Sequence, residues 1–124
     1  MTGWSDEELR RIGEAKELQL ASTRQDGTLR RYVTMWVIRA ADELYVRSAY
    51  GPDNPWFRRV KASGVGRIRA GGLERDVRFA EPAPSVHAGI NAAYHAKYDS
   101  YGPQIVGTVV GPEAEAVTIR LEPR

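Results

Sequence analysis

Val65-Gly66-Arg67-Ile68-Arg69-Ala70-Gly71-Gly72-Leu73-Glu74-Arg75-Asp76-Val77-Arg78-Phe79-Ala80 reads as two β-strands folded back on one another. Gly71-Gly72 supplies the pair of left-handed backbone positions that a two-residue hairpin turn requires. On the second run Leu73, Val77 and Phe79 fall on one face and Glu74, Asp76 and Arg78 on the other. That period of two describes a strand with one face in a core and one in water. An antiparallel hairpin in the middle of the chain therefore frames the reading of the segments on either side.

Upstream, Leu18, Leu20 and Ala21 lead into Gln25-Asp26-Gly27, where Asp-Gly between two β-prone runs signals another hairpin. The returning run, Thr28 to Ala40, contains Tyr32-Val33-Thr34-Met35-Trp36-Val37-Ile38, apolar on both alternating faces. One continuous strand, buried on both sides, is expected there. Ala41-Asp42-Glu43 then turns tightly into Leu44–Ala49, a third strand paired with the second. Ahead of all of these, Ser5 and Glu8 form a capping box. It opens a short helix that places Leu9, Ile12 and Ala15 at helical spacing and is expected to run to about Lys16.

Downstream of the central hairpin, Pro82-Ala83-Pro84 ends the fifth strand and Ser85 is expected to cap the longest helix, Val86–Tyr101. Gly102-Pro103 stops it. Of the last apolar runs, Ile105–Val110 and Val117–Leu121, the final one is expected to be a strand that closes the sheet. No repeat, linker or low-complexity stretch interrupts the 124 residues, so the expectation is one domain spanning residues 1–124.

Composition excludes whole classes of chemistry. The chain has no cysteine, which removes disulfides, thiolate metal sites, iron–sulfur clusters and cysteine nucleophiles together. The N-terminal Met-Thr-Gly-Trp-Ser-Asp-Glu-Glu lacks the basic and apolar regions of a signal peptide, and no apolar run is long enough to span a bilayer. A cytoplasmic location with no membrane contact is the corresponding expectation. Net charge is only +2, with basic and acidic residues interspersed, but arginine far outnumbers lysine. Guanidinium groups grip phosphates and carboxylates in a bidentate fork, so small anionic ligands fit this composition.

The segment richest in such chemistry is Tyr50-Gly51-Pro52-Asp53-Asn54-Pro55-Trp56-Phe57-Arg58-Arg59-Val60. Pro55 at a first helical position and the loop before it make a helix N-terminus, whose free N–H groups and dipole favour an anion. Arg47 and Ser48 precede the loop at a strand end and Arg58 and Arg59 follow in the first turns, so phosphate-binding residue types converge from both sides. Asp53 opposes this unless its carboxylate turns away or caps the helix. Trp36 could line a ring pocket and Tyr94, Tyr98 or Tyr101 could reach a substrate, although tyrosines at helical spacing also pack cores. His95, Asp99 and His87 lack a strong third ligand, so no metal site is expected.

Tyr45-Val46-Arg47-Ser48-Ala49-Tyr50-Gly51-Pro52-Asp53-Asn54-Pro55-Trp56-Phe57-Arg58 resembles the strand, loop and helix of the deazaflavin-dependent nitroreductase group. From Leu18 to Arg124 the chain also resembles domain of unknown function family 2255. The residues that carry this include Arg24-x-Asp26-Gly27-x-Leu29-Arg30, Trp36-Val37, Gly66-Arg67-Ile68-Arg69-Ala70-Gly71-Gly72 and Ala93-Tyr94-x-Ala96-Lys97-Tyr98. Both groups are similar to pyridoxamine phosphate oxidase-like barrels. The resemblance implies an α+β, mainly β, six-stranded antiparallel split barrel. It further implies a homodimer with FMN or a deazaflavin in a groove between subunits, and a nitroreductase-like oxidoreductase acting on a small molecule. Trp36, Arg47, Ser48, Tyr50, Gly51, Asn54, Trp56 and Arg58 would contact that cofactor. The alternative is a non-catalytic barrel that carries or senses such a ligand, or has lost it. A nucleic-acid surface of Arg30, Arg31, Arg67 and Arg69 with Tyr32 or Trp36 is a weaker fit, because the charge is not one-sided.

Overall fold

A computed structural model describes residues 3–124, so Met1 and Thr2 of the N-terminal stretch lie outside it. Among the described residues the elements run α1 (Asp6–Gly13), β1 (Leu18–Ser22), β2 (Val33–Met35), β3 (Ile38–Ala40), β4 (Glu43–Arg47), α2 (Pro55–Ser63), β5 (Val65–Ala70), β6 (Leu73–Ala80), α3 (His87–Tyr98), α4 (Pro103–Val106), α5 (Pro112–Glu115) and β7 (Thr118–Pro123). The seven strands form one antiparallel sheet in the order β2-β1-β5-β6-β7-β4-β3. Mixed α/β architecture around a curled antiparallel sheet is thus observed, with seven strands where six are expected from the sequence.

The extra strand comes from the run Thr28–Ala40, which is not continuous. Its first residues form no ladder beyond a bridge between Thr23 and Leu29, and Trp36-Val37 interrupts the rest. The backbone of Val37 is satisfied by α3 side chains instead of a neighbouring strand. Its N–H donates to the Tyr98 hydroxyl at 3.3 Å, and its carbonyl accepts from Lys97 Nζ at 2.6 Å. The pieces on either side, β2 and β3, lie at opposite edges of the sheet. Laid flat at about 4.8 Å per strand those edges would be about 29 Å apart. The three-residue step from Met35 to Ile38 reaches at most about 10 Å. The sheet must therefore curl until its edges approach, which makes a half-barrel.

The hairpins read from the sequence are present. Gly71 and Gly72, at φ 58° and 79°, close β5 onto β6 with Ala70 opposite Leu73. The Asp26-Gly27 turn joins β1 to β2, with Asp26 Oδ1 accepting from the Thr28 N–H at 3.0 Å. Between β3 and β4, Ala41 and Asp42 both take positive φ, 51° and 60°. Alanine is disfavoured there, so Ala41→Asn is expected to raise stability by about 0.5–1 kcal/mol. A urea-denaturation midpoint that stays put or falls would show that the turn carries no such strain.

Other boundaries move slightly. The capping box forms, with Ser5 Oγ accepting from the Glu8 N–H at 3.1 Å and Glu8 Oε1 accepting from the Ser5 N–H at 2.9 Å, but α1 ends at Gly13, short of Lys16. The third strand stops at Arg47, and a 3₁₀ turn replaces the last residues of the long helix at Asp99–Tyr101. Ser85 does not cap: it lies in a 3₁₀ turn, Pro84–Val86, and no side chain caps α3. The run Ile105–Val110 is a short helix and turns, whereas the final run is β7.

Two apolar clusters result, one on each side of β4. Leu44 and Val46 face the barrel interior with Leu18, Leu20, Ile68, Val77 and Leu121, closed by Leu9 and Ile12 of α1 and by Trp56, Phe57 and Val60 of α2. Tyr45 faces the other way and packs with Ile90, Tyr94 and Tyr98 of α3 and with Val106 and Val109. Strand alternation sends Arg47 to the same side as Tyr45.

Candidate functional site: an arginine-lined groove beside α2

Helix α2 starts where the sequence places it. Asn54 occupies the cap position without a side-chain cap bond and Pro55 is the first helical residue. Trp56, Phe57 and Val60 are buried at helical spacing, which leaves Arg58 and Arg59 on the outer face. Across from that face lies the end of the β1–β2 hairpin. Between them is a cavity of about 720 Å³, lined by Thr23, Arg24 and Arg30 on the hairpin side and by Pro55, Arg58, Arg59, Ala62 and Ser63 on the helix side. Its size falls within the range of small-molecule sites. A small void continues it toward Arg31 and Trp56.

Electrostatics single this groove out. Arg39, Arg67, Arg69, Arg75 and Arg120 all have carboxylate partners. Among the described residues, Arg11, Arg24, Arg30, Arg31, Arg47, Arg58, Arg59, Arg78 and Arg124 have none within 4 Å, and of these Arg24, Arg30, Arg58 and Arg59 gather on this one cavity. No acidic side chain lines the cavity. Arg24 is held in place by the Leu29 carbonyl at 2.8 Å and Thr28 Oγ1 at 3.3 Å. Like charges gathered on one cavity repel one another, less so as salt screens them. The barrel scaffold sustains that cost, and an anion would remove it. Asp53 is exposed and lines no part of the groove.

The sequence-derived site residues divide. Arg58 and Trp56 belong to the groove and its extension. Asn54 supports the loop, with Nδ2 3.5 Å from the Ala49 carbonyl. Ser48, Tyr50 and Gly51 line a different cavity, of about 760 Å³, on the side of the loop toward residues 107–117. Trp36 is on neither: it stacks on Tyr98 with ring centres 4.0 Å apart and planes at 5°.

Arg47 also leaves the groove, for the reason given by strand alternation. Its side chain is buried at 3% exposure against α3 and β7. Nε donates to Thr118 Oγ1 at 2.8 Å, and Nη1 donates to Asn91 Oδ1 at 2.5 Å and to the Val109 carbonyl at 2.8 Å. Nη2 lies 3.3 Å from His87 Nδ1. Burial lowers its pKa from the usual arginine value, opposed by Tyr94 and Glu115. The residues that sequence reasoning missed as groove partners are Arg24 and Arg30, which entered only as part of the family motif and, for Arg30, as a possible nucleic-acid contact. Of that set, Arg67 and Arg69 pair with Asp76 and Glu74, and Arg69 covers the Tyr32 ring at 4.1 Å.

The tyrosines of α3 are structural in this geometry. Tyr98 is buried, its hydroxyl 2.8 Å from the Lys16 carbonyl and 3.1 Å from that of Val37, and burial pushes its pKa up to about 12. Burial likewise raises Tyr94. Lys97, desolvated beside them, is pushed down to about 8 while donating to the Gly13 and Val37 carbonyls. His95 pairs with Asp99 on the exposed face of α3. No helix among the described residues is long and apolar enough to cross a membrane.

Residues 8–121 match the model of a family described as an uncharacterised protein conserved in bacteria, domain of unknown function 2255. No curated protein matches. Solved structures do. A Listeria innocua protein named after pyridoxamine 5′-phosphate oxidase superposes with a TM-score of 0.65 at 17% identity, covering 96% of this chain and 92% of its own. An F420 reductase gives 0.58 at 19%, covering 93% and 91%. A FAD-binding protein from Mesorhizobium loti gives 0.58 at 14%, covering 98% and 91%. At these identities the likeness is one of fold.

Proposed function

This chain belongs to domain of unknown function family 2255, and on that footing we propose that it binds a phosphate-bearing flavin-type cofactor, FMN or a deazaflavin, in the arginine groove and acts as an oxidoreductase on a small molecule. The observation that carries the reading is the convergence of Arg24, Arg30, Arg58 and Arg59 on one cavity without a carboxylate. Support comes from the fold, since an F420 reductase and a FAD-binding protein share it.

The residues fit the anionic end of such a group. Arg58 and Arg59 form one wall and Arg30 the other, so two elements fix the phosphate from opposite sides with bidentate donors. Ser63 and Thr23 add hydroxyls to the lining. Trp56, wedged into the core beneath Arg59 and Arg30, holds the helix face at its distance from the hairpin. A bound flavin or deazaflavin supplies the hydride chemistry, and the protein supplies placement and electrostatics. The cytoplasm and a homodimer complete the reading, the first resting on the signal-free N-terminal stretch and the lack of a bilayer-length apolar run, the second on the sequence resemblance.

Titration of the purified protein with FMN, F420 and riboflavin, followed by tryptophan fluorescence, tests it. FMN or F420 is expected to bind at least about tenfold more tightly than riboflavin, which lacks phosphate. Arg59→Ala and Arg30→Ala are each expected to weaken that binding by about tenfold. Equal affinity for riboflavin, or no response to either phosphate-bearing compound, would overturn the proposal. Binding without reduction of a nitroaromatic by the reduced cofactor would assign a carrier instead of an enzyme.

A further inference from the structure

The second cavity has the opposite character to the first. Its walls are mainly apolar, with Pro52, Val110, Ala114 and Val117 among them, and Glu113 is the one charged side chain in its lining. It opens beside Tyr50, a residue that is 82% exposed. Tyr50 holds φ at 68°, a left-handed conformation that a bulky residue adopts at a cost. In the free protein the exposed ring gains little burial to offset that strain.

The far wall is held rigidly, and the buried Arg47 is its anchor. Arg47 Nη1 binds the Val109 carbonyl and Asn91 Oδ1, Asn91 Oδ1 lies 3.4 Å from the Gly111 N–H, and Asn91 Nδ2 donates to Glu115 at 3.3 Å. On the near wall Ser48 N–H donates to the Val117 carbonyl at 3.1 Å and Ser48 Oγ to the Gly51 carbonyl at 2.7 Å. A cavity with fixed walls, apolar lining and an aromatic side chain at its mouth is organised before any ligand arrives.

The geometry points to a second ligand site, between residues 48–52 and 107–117, that takes a flat organic molecule without negative charge, with Tyr50 packing on its face. Glu113 disfavours anions there, whereas the arginine groove selects them, so the two sites sort ligands by charge. Occupancy of the second does not depend on occupancy of the first.

Quinoline, N-methylquinolinium and 1-naphthoate, three bicyclic probes of similar shape and different charge, test it by saturation-transfer and chemical-shift titration NMR on the full chain. Quinoline and N-methylquinolinium are expected to bind, and 1-naphthoate to bind at least about tenfold more weakly. Tyr50→Gly is expected to weaken quinoline by about three- to tenfold, with a melting temperature equal to or above that of the parent, since glycine accepts the backbone angle. Ala114→Trp, which fills the cavity, is expected to abolish binding, and Val110→Trp serves the same purpose if that variant does not fold. Naphthoate binding as well as quinoline, quinoline binding unchanged in Tyr50→Gly, or no binding of quinoline at all would each overturn the assignment.

Discussion

Gly66→Ala is expected to destabilise the fold by about 3 kcal/mol, the upper end of what overpacking costs. Gly66 lies in β5, between Ser22 of β1 and Val77 of β6. A β-carbon there would sit 2.1 Å from the Ala21 carbonyl oxygen and 2.9 Å from the edge of the Phe79 ring. Ala21 belongs to a strand paired on both sides, so its backbone cannot withdraw without breaking a ladder. Phe79 could turn aside, but only out of the core it packs against. Urea denaturation checks this, and a loss under about 1 kcal/mol would mean that β1 and β5 yield far more easily than a paired central strand should.

Arg47→Ala carries a comparable expected loss, about 3–4 kcal/mol. Truncation takes the buried donor from the Val109 carbonyl, leaves Asn91 Oδ1 only the 3.4 Å contact from the Gly111 N–H and Thr118 Oγ1 only its bond to the Ala114 carbonyl, and opens a void among Tyr94, β7 and residues 109–115. Arg47→Lys keeps the charge but not the fork that reaches three elements at once, so it is expected to recover only part of the loss. The measurement also separates two roles. If Arg47→Lys folds and retains full FMN affinity, the residue anchors the 109–115 wall as the structure has it. If affinity collapses while stability holds, the phosphate role read from its sequence position is restored.

The hairpins were legible because their signals are local: Asp26-Gly27 and Gly71-Gly72 lie between runs of matching alternation. The break at Trp36-Val37 was not, because an apolar run gives no sign of where its backbone partners lie. Those partners are Tyr98 and Lys97, some sixty residues on. The alternation that put Tyr45 and Arg47 on one face was readable, but the strand's apolar character on both faces hid which side was the barrel interior. Arg30 and Arg59 share a cavity because β1 pairs with β5, the strand that follows α2 directly, so no spacing in the sequence pairs them. What the sequence did supply was the loop-to-helix junction, with Arg58 and Trp56 correctly placed beside the groove.

The split edge strands also govern how this molecule can meet others. β2 and β3 are three residues long, and the chain itself runs from one to the other. Short edges joined in this way offer little unpaired backbone for a foreign strand to extend. Sheet-to-sheet addition, the common route to fibrils and to continuous-sheet dimers, has almost no template here. At these two edges a second copy of the chain would find side-chain surfaces more than free backbone to dock on, so an interface there would be set by residue identity.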